Sequence, residues 1–226
     1  MKVYFYKNNK VAGIKVTAPF VWAIAIGIAF GAGTAAYEAF SERYEHHAAE
    51  VQQESIVYSF DETPTNEEHI RWIQKYNPHL SNTDAGDLLR HINEAVERFS
   101  SDPHYQRGAW QHITPEVVLA VMLRESGAKW ISLSSCGAIG LMQIHPVNVD
   151  ELHKAGIIED ADPNELWDYR TNITAGVFKL FSYARNVKSL DRALARYNAG
   201  PGNESAGRMY AKRVISLSRE IEGRTQ

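Results

Sequence analysis

The clearest helix signal in the chain lies at positions 114–127, which read TPEVVLAVMLRESG. Thr114 has the side chain of a helix N-cap, and a proline followed by an acid suits the first helical turn. Every residue from 117 to 123 is apolar, so no face of this helix suits water. The sequence therefore predicts a central, buried helix that ends at Glu125.

Glu125 stands where the predicted buried helix emerges from the core. Burial raises the pKa of a carboxyl group, and an acid that stays protonated near neutral pH can donate a proton to a leaving oxygen. The alternative is a structural ion pair between Glu125 and a lysine or arginine at the helix end. From this helix alone, both interpretations stay open.

The remainder of the chain beyond residue 65 is also predicted to be helical. Capping residues and one proline mark the successive starts and stops, which are Thr65-x-x-Glu68, Asn77-Pro78, Ser81-x-x-Asp84, Asn172, Ser189 and Asn203. No segment shows a convincing alternation of apolar and polar residues, which a half-buried strand would require. The fold class is predicted to be all-α.

Charge is distributed unevenly along the 226 residues, whose formal net charge is -3. Four lysines, at positions 2, 7, 10 and 15, precede the first acidic residue, Glu38. The chain from Glu38 onward therefore carries about -7. Such an acidic surface argues against a nucleic-acid partner.

Cysteine and histidine patterns give no sign of a metal or cofactor. Cys136 is the only cysteine, so no intrachain disulfide is possible and the redox compartment cannot be deduced. The nine histidines include no His-Glu-x-x-His pattern and no Cys/His ligand cluster. We expect neither a metal nor a cofactor.

The segment 18–37 contains no charged residue and would span roughly 30 Å as a helix, the thickness of the hydrocarbon core of a bilayer. Lysines precede it and acids follow it, and positive flanks stay cytoplasmic. The prediction is a cytoplasmic tail (1–17), a single transmembrane anchor (18–37), a juxtamembrane stalk (38–65) and a periplasmic domain (66–226) at a bacterial inner membrane. The alternatives are secretion after cleavage of a signal peptide and a buried core helix.

Within the predicted anchor, small residues recur every fourth position, at Ala23, Gly27, Gly31 and Ala35. Such a stripe allows two membrane helices to approach closely. A weak homodimer through this stripe is therefore one interpretation, and chance recurrence is the other.

Five ordered motifs follow from Glu125 onward. They are Glu125-Ser126 with Ser134, Gly137-Ala138-Ile139-Gly140-Leu141-Met142-Gln143, Asn172-Ile173 with Gly176, Tyr197-Asn198-Ala199-Gly200, and Tyr210-Ala211-x-x-Val214. The set, over 115–214, resembles the soluble-lytic-transglycosylase (SLT) family, and the helix pair over 66–101 resembles its usual lead-in. The resemblance implies a lysozyme-like α domain with a groove for glycan strands of peptidoglycan.

The implied reaction cleaves the β-1,4 bond between N-acetylmuramic acid and N-acetylglucosamine and forms a 1,6-anhydro end. By resemblance Glu125 is the catalytic acid and base, and the other residues that line the site are Ser134, Met142, Gln143, Tyr197, Asn198 and Tyr210. Tyr197 resembles the residue whose hydroxyl reaches the catalytic acid, and Met142 is interpreted as a groove wall. Structural alternatives remain for Ser134 as a loop-shaping residue, for Asn198 as a helix cap and for Tyr210 as packing.

Two competing functions share these motifs. One is a hydrolytic muramidase resembling goose-type lysozyme, in which the same glutamate would activate water. The other is a non-catalytic wall-binding scaffold, which the retained Glu125 disfavours.

Overall fold

The computed structural model describes residues 2–7, 10–15 and 64–223. Near the N-terminus, β1 (Lys2–Lys7) and β2 (Lys10–Lys15) pair in a two-stranded sheet, where the sequence analysis anticipates no strand. The run Val-Tyr-Phe-Tyr in β1 consists of residue types that favour strands, although it shows no alternation of apolar and polar residues. The predicted anchor, its small-residue stripe and the stalk up to residue 63 lie outside the described residues. No helix of the described part of the chain is long and apolar enough to cross a membrane.

From residue 64 to residue 223 the fold is all-α, as predicted. Its helices are α1 (Pro64–Tyr76), α2 (Asn82–Ser100), α3 (Pro115–Glu125), α4 (Val149–Lys154), α5 (Tyr169–Ala184), α6 (Leu190–Ala199) and α7 (Glu204–Ile221). Short 3-10 turns occur at Trp110–His112, Pro146–Asn148 and Pro163–Trp167. Within this range, isolated antiparallel bridges join Ile139 to Leu133 and to Ile144.

Helix α3 is the central helix that its sequence predicts. All residues from 117 to 123 are buried. Thr114 caps the helix, since its Oγ1 accepts a hydrogen bond of 3.3 Å from the backbone N–H of Val117. Helices α2 and α7 pack directly against α3, so the end of α3 lies within the domain and not at a free edge.

The predicted helix boundaries are confirmed at most capping residues and wrong at two. Ser81, Ser189 and Asn203 are the N-caps of α2, α6 and α7. Helix α1 begins at Pro64, so Thr65 lies within its first turn. Helix α5 begins at Tyr169 because Asp168 caps it, with Oδ1 accepting from the Thr171 N–H at 2.9 Å. Asn172, predicted near the start, lies in the first turn with its side chain engaged elsewhere.

The helices α5, α6 and α7 bring the later motifs back to α3. Helix α6 packs on α7 and α5, whereas α7 packs on both α6 and α3. An ion pair closes the corner between α6 and α7, since Nε of Arg196 lies 2.6 Å from Oε1 of Glu204. As a result, the final helix of the domain reaches the end of the central one.

Candidate active site

Glu125 is the last residue of α3, at the point where the buried helix leaves the core. The following Ser126 is buried and ends the helix, with its Oγ donating to the carbonyl of Met122 at 3.2 Å. Glu125 is half-buried, so the residue is partly shielded from bulk water but remains accessible. This is the position that the sequence predicts for a catalytic acid.

The hydroxyl of Tyr210 donates a hydrogen bond of 2.6 Å to Oε1 of Glu125. The sequence analysis assigns this role to Tyr197, and that assignment is wrong. The hydroxyl of Tyr197 donates instead to the carbonyl of Met142, at 2.7 Å. Helix packing explains the difference, because α7, which bears Tyr210, lies against α3, while α6, which bears Tyr197, packs on α5 and α7.

The pKa of Glu125 is raised above its ordinary value of 4.5. Burial is the largest cause, and it outweighs the hydrogen bond from Tyr210 and the positive charge of Arg124, which both lower the pKa. No other carboxylate of the described residues contributes to this shift. Glu125 therefore keeps its proton to a higher pH than a solvated glutamate and stands as a solitary acid.

The two tyrosines near Glu125 remain protonated over the working pH range. Burial raises the pKa of Tyr210 well above 10.0, and the negative charge of Glu125 raises it further. Burial likewise raises the pKa of Tyr197 well above 10.0, followed by the charges of Glu125 and Tyr183. Both hydroxyls are consequently donors, and Tyr210 donates to the carboxyl group whether that group is protonated or ionised.

Asn172 fixes the loop that carries the second motif. Its side chain is fully buried, with Oδ1 accepting from the Met142 N–H at 2.8 Å and Nδ2 donating to the carbonyls of Ile139 (2.9 Å) and Leu166 (2.8 Å). Gly140 lies so close that a Cβ there would come within 2.4 Å of Nδ2 of Asn172. The motif asparagine and glycine are thus structural partners, and together they hold the loop beside the site.

Met142 is part of the core, so the prediction that it forms a groove wall is wrong. Its side chain is 0% exposed and packs against Gly176 of α5, where an added Cβ would lie 2.6 Å from the Met142 Cβ. Its backbone links three motifs, because its N–H donates to Asn172 and its carbonyl accepts from Tyr197. Because Gly176 has no side chain, Met142 can pack inward against α5.

Comparison with known proteins agrees with this arrangement. Residues 104–215 match the family model described as the transglycosylase SLT domain. Residues 104–215 are a transglycosylase SLT domain.

Solved structures similar to this chain include lytic transglycosylases of two bacteria. The 70-kDa soluble lytic transglycosylase of Escherichia coli shares 24% identity, covers 72% of this chain and matches with a TM-score of 0.49 over 31% of its own length. An inactive mutant of the lytic transglycosylase Slt from Pseudomonas aeruginosa shares 20% identity, covers 62% of this chain and matches with a TM-score of 0.47 over 24% of its own length. A complex of the 70-kDa enzyme with bulgecin A shares 23% identity, with 72% and 31% coverage and a TM-score of 0.49. The chain thus spans about a third of the length of these proteins or less.

Ser134 and Gln143 hold the backbone of the SLT motif loop in place. Oγ of Ser134 accepts from the Ala138 N–H at 2.9 Å, which is the loop-shaping alternative that the sequence leaves open. Nε2 of Gln143 donates to the carbonyls of Gly140 (2.8 Å) and Ser132 (3.3 Å). Within the described part of the chain, the Oε1 atom of Gln143 has no hydrogen-bond partner, so it can accept from a ligand. Contact of either residue with substrate stays a prediction.

Asn198 is exposed at the end of α6. It does not cap that helix, because the closing bond runs from the backbone N–H of Gly200 to the carbonyl of Arg196. Among residues 64–223, no side-chain hydrogen bond involves Asn198, so its predicted contact with substrate remains untested. No group of three metal-ligating side chains occurs in the described part of the SLT domain chain.

One charged residue of the SLT domain, Lys179, goes unnoticed in the sequence analysis. It lies on α5 among apolar neighbours and is only 7% exposed. Its Nζ lies 2.6 Å from Oε2 of Glu151 on α4 and 4.9 Å from the ring of Tyr183. A lysine between Phe178 and Leu180, on a helix that is apolar on most sides, is the signal in the sequence that points to it.

Proposed function

We propose that this protein is a peptidoglycan lytic transglycosylase that cleaves the β-1,4 bond between N-acetylmuramic acid and N-acetylglucosamine. The observation that carries the proposal is Glu125, a solitary acid within an SLT domain. Its pKa is raised, and its carboxyl group accepts a hydrogen bond from Tyr210. Glycan strands are the substrate class, and the described residues supply the acid and base chemistry without a cofactor in the scheme.

The proposed reaction begins with protonated Glu125. Because Tyr210 donates to Oε1, Oε2 is left to carry the acidic proton that is given to the substrate. Glu125 gives that proton to the glycosidic oxygen, the bond from that oxygen to C1 of muramic acid breaks, and the N-acetylglucosamine end departs as an alcohol. The remaining carboxylate keeps the hydrogen bond from Tyr210.

The ring closes in the second half of the reaction. The carboxylate of Glu125 removes the proton from the 6-hydroxyl of the same muramic acid, and that oxygen bonds to C1 as the 1,6-anhydro ring forms. Glu125 ends protonated and no water is consumed. Most glycosidases use two carboxylates, but a neighbouring acetamide on the sugar can replace the second. The absence of a second carboxylate acting on the pKa of Glu125, among the described residues, supports this variant.

The test is the chemical nature of the released sugar ends. Purified peptidoglycan is digested with the protein, and the soluble fragments are treated with borohydride and weighed by mass spectrometry. We expect ends that resist reduction and are lighter than hydrolysis products by one water. Reducible ends would establish the hydrolytic muramidase, and no release at all would favour a non-catalytic scaffold. The Glu125→Gln variant serves as the inactive control.

We also propose that the domain faces the periplasm and is held at the inner membrane by residues 18–37. Support comes from the sequence, where lysines precede an uncharged span and acids follow it. A reporter fused after Glu50 is expected to be active only outside the cytoplasm, and the protein should resist extraction by salt and carbonate. A shortened, freely released chain would instead establish a cleaved signal peptide.

A further inference from the structure

Lys179 is a buried charge that the proposed reaction does not use. Its side chain is 9% exposed, whereas the side chain of its partner, Glu151, is 48% exposed. The two partners therefore differ in burial: Lys179 is held inside the protein, whereas Glu151 borders water. Glu151 loses little by turning to solvent, while Lys179 cannot follow it without leaving the core.

The ammonium group of Lys179 retains binding capacity. It has three N–H donors, and within the described part of the chain Oε2 of Glu151 is its only hydrogen-bond acceptor. The ring of Tyr183 stabilises the positive charge from another direction but accepts no conventional hydrogen bond. Buried charges are stable when several polar atoms surround them, so a further anionic acceptor would fit here.

Lys179 lies on the side of α5 that faces the catalytic motifs. Gly176, Lys179 and Tyr183 are spaced by three and four residues and therefore share one face of the helix. Gly176 contacts Met142, and the carbonyl of Met142 accepts the hydroxyl of Tyr197. The face of α5 that bears Lys179 is therefore the face that contacts the motif loop at Met142.

We propose that Lys179 binds a carboxylate of the stem peptide that the muramic acid unit carries. In the empty site Glu151 takes the place of that carboxylate, and it turns to water when the substrate binds. The inference rests on the proposed function, because it names which feature of a peptidoglycan strand the same site selects. An uncharged strand would leave Lys179 with Glu151 and gain nothing from the exchange.

Three substrates separate the sources of the carboxylate. The first is native strands, and the second is the same strands after carbodiimide coupling with ammonia has turned their carboxylates into amides. The third is strands from which an amidase has removed the stems, which leaves the lactyl carboxylate. We expect the protein to show a kcat/KM about tenfold to a hundredfold higher on native than on amidated strands, the usual contribution of one charge-assisted hydrogen bond. Amidase-treated strands lack the stem carboxylates and should be cleaved like amidated ones. Cleavage like that of native strands would contradict the proposal, because the lactyl carboxylate is an amide in native strands and is freed only by the amidase.

Variants test whether Lys179 causes the preference for native over amidated strands. Lys179→Met removes the charge at similar length and should bring the native-to-amidated ratio close to one. Lys188→Met changes an exposed lysine in the turn after α5 and should keep the wild-type ratio. Glu151→Gln removes the competing anion, so it should lower the KM for native strands. A purely structural ion pair would make both Lys179→Met and Glu151→Gln harmful in the same direction.

The proposal is overturned if the wild type cleaves native and amidated strands equally well, or if folded Lys179→Met keeps the preference. Should Lys179→Met fail to fold, the native-to-amidated ratio of kcat/KM is measured for Lys179→Arg and Glu151→Gln instead. An unchanged ratio in both variants would overturn the proposal. Failure of the proposed function is a different result, since wild-type protein would then release fragments from none of the three substrates.

Discussion

Among residues 64–223, two tyrosine hydroxyls donate to carboxyl groups, and the pKa values of the two carboxyl groups shift in opposite directions. Tyr210 donates to Glu125 at 2.6 Å, and Tyr169 donates to Asp87 at 3.0 Å. The pKa of Glu125 is raised, whereas the pKa of Asp87 is lowered from its ordinary value of 3.8. A tyrosine hydrogen bond therefore does not decide the character of the acid that receives it.

The difference lies in the cations around each carboxyl group. Burial would raise the pKa of Asp87 as well, but hydrogen bonds from Arg90 and Tyr169 and the positive charges of Arg90 and His91 outweigh it. Arg90 lies 2.7 Å from Oδ1 of Asp87. Glu125 receives no such direct partner in the described region, and the charge of Arg124 is too weak an influence to reverse the effect of burial. The pKa of Glu125 stays raised because no guanidinium group is bound to its carboxyl group in the described region.

The largest effect is expected from Glu125→Gln, which preserves shape and removes the proton. Loss of a general acid and base reduces rates about a hundredfold to ten-thousandfold, and a site with one carboxylate belongs at the upper end. Asp87→Asn is the matched change at the other tyrosine and should leave kcat within about twofold of wild type. Turnover on purified peptidoglycan measures both. Near-normal turnover by folded Glu125→Gln would refute the mechanism.

Tyr210→Phe is expected to lower kcat by about tenfold and to shift the pH profile. The hydrogen bond from Tyr210 lowers the pKa of Glu125, so its removal raises that pKa further. Because the reaction starts from protonated Glu125, activity falls as the pH rises through this pKa. The alkaline fall in kcat/KM should therefore move to higher pH in the variant. Tyr169→Phe is the control and should leave the profile in place; an equal shift there would contradict the assignment.

Stability should respond to the two acids with opposite sign. The folded pKa of Glu125 is raised, so the folded protein loses stability as the pH rises from about 4.5 through that pKa. The folded pKa of Asp87 is lowered, so its contribution is present above its ordinary value of 3.8 and is lost as the pH falls through the folded pKa.

At neutral pH, Glu125→Gln is therefore expected to raise the free energy of unfolding by about 1 kcal/mol, as neutralising a strained functional residue often does. Asp87→Asn should lower it by roughly 0.5–1 kcal/mol, since its ion pair is partly exposed. Thermal unfolding would show shifts of about 2–4 °C per kcal/mol in opposite directions. If both variants shifted the unfolding temperature in the same direction, the surroundings of Glu125 and Asp87 would not differ as described.

The smallest effect is expected from Tyr169→Phe. Loss of a single hydrogen bond to Asp87 should lower the free energy of unfolding by about 0.5 kcal/mol, while Arg90 keeps the carboxylate paired. The stacking of Tyr169 on Trp130, with ring centroids 4.9 Å apart, survives in the variant. Denaturant titration measures the change, and a loss of several kcal/mol would mean that the hydroxyl supports more than this pair.

The sequence predicts the position of Glu125 at the end of a buried helix well because that signal is local. A continuous apolar run from 117 to 123, after a clear N-cap, predicts a buried helix. Glu125 lies two residues beyond that run, so its place at the helix end can be predicted from the sequence. Tyr197 and Tyr210 are harder to rank, since both occupy motif positions on helices. Which hydroxyl reaches Glu125 depends on how α6 and α7 cross α3, and no local pattern encodes that crossing.

The wrong assignment of Met142 and the omission of Lys179 have a related cause. The exposure of Met142, a loop residue, depends on Gly176 of α5, whose missing side chain opens the space that the methionine fills. The partner of Lys179 is Glu151, on a helix that the capping signals do not reveal. In both cases the deciding contact joins segments that are distant along the chain, and periodicity within one segment does not report it.

The hydrogen bond between Tyr210 and Glu125 also sets when the site can exist, because it joins residues 85 positions apart. During synthesis, α3 emerges with its acid long before α7, and the intervening chain must close a large loop before the two helices meet. A nascent chain that stops short of Tyr210 carries the acid without its clamp. Formation of the hydrogen bond between Tyr210 and Glu125 therefore requires that α7 has already docked on α3.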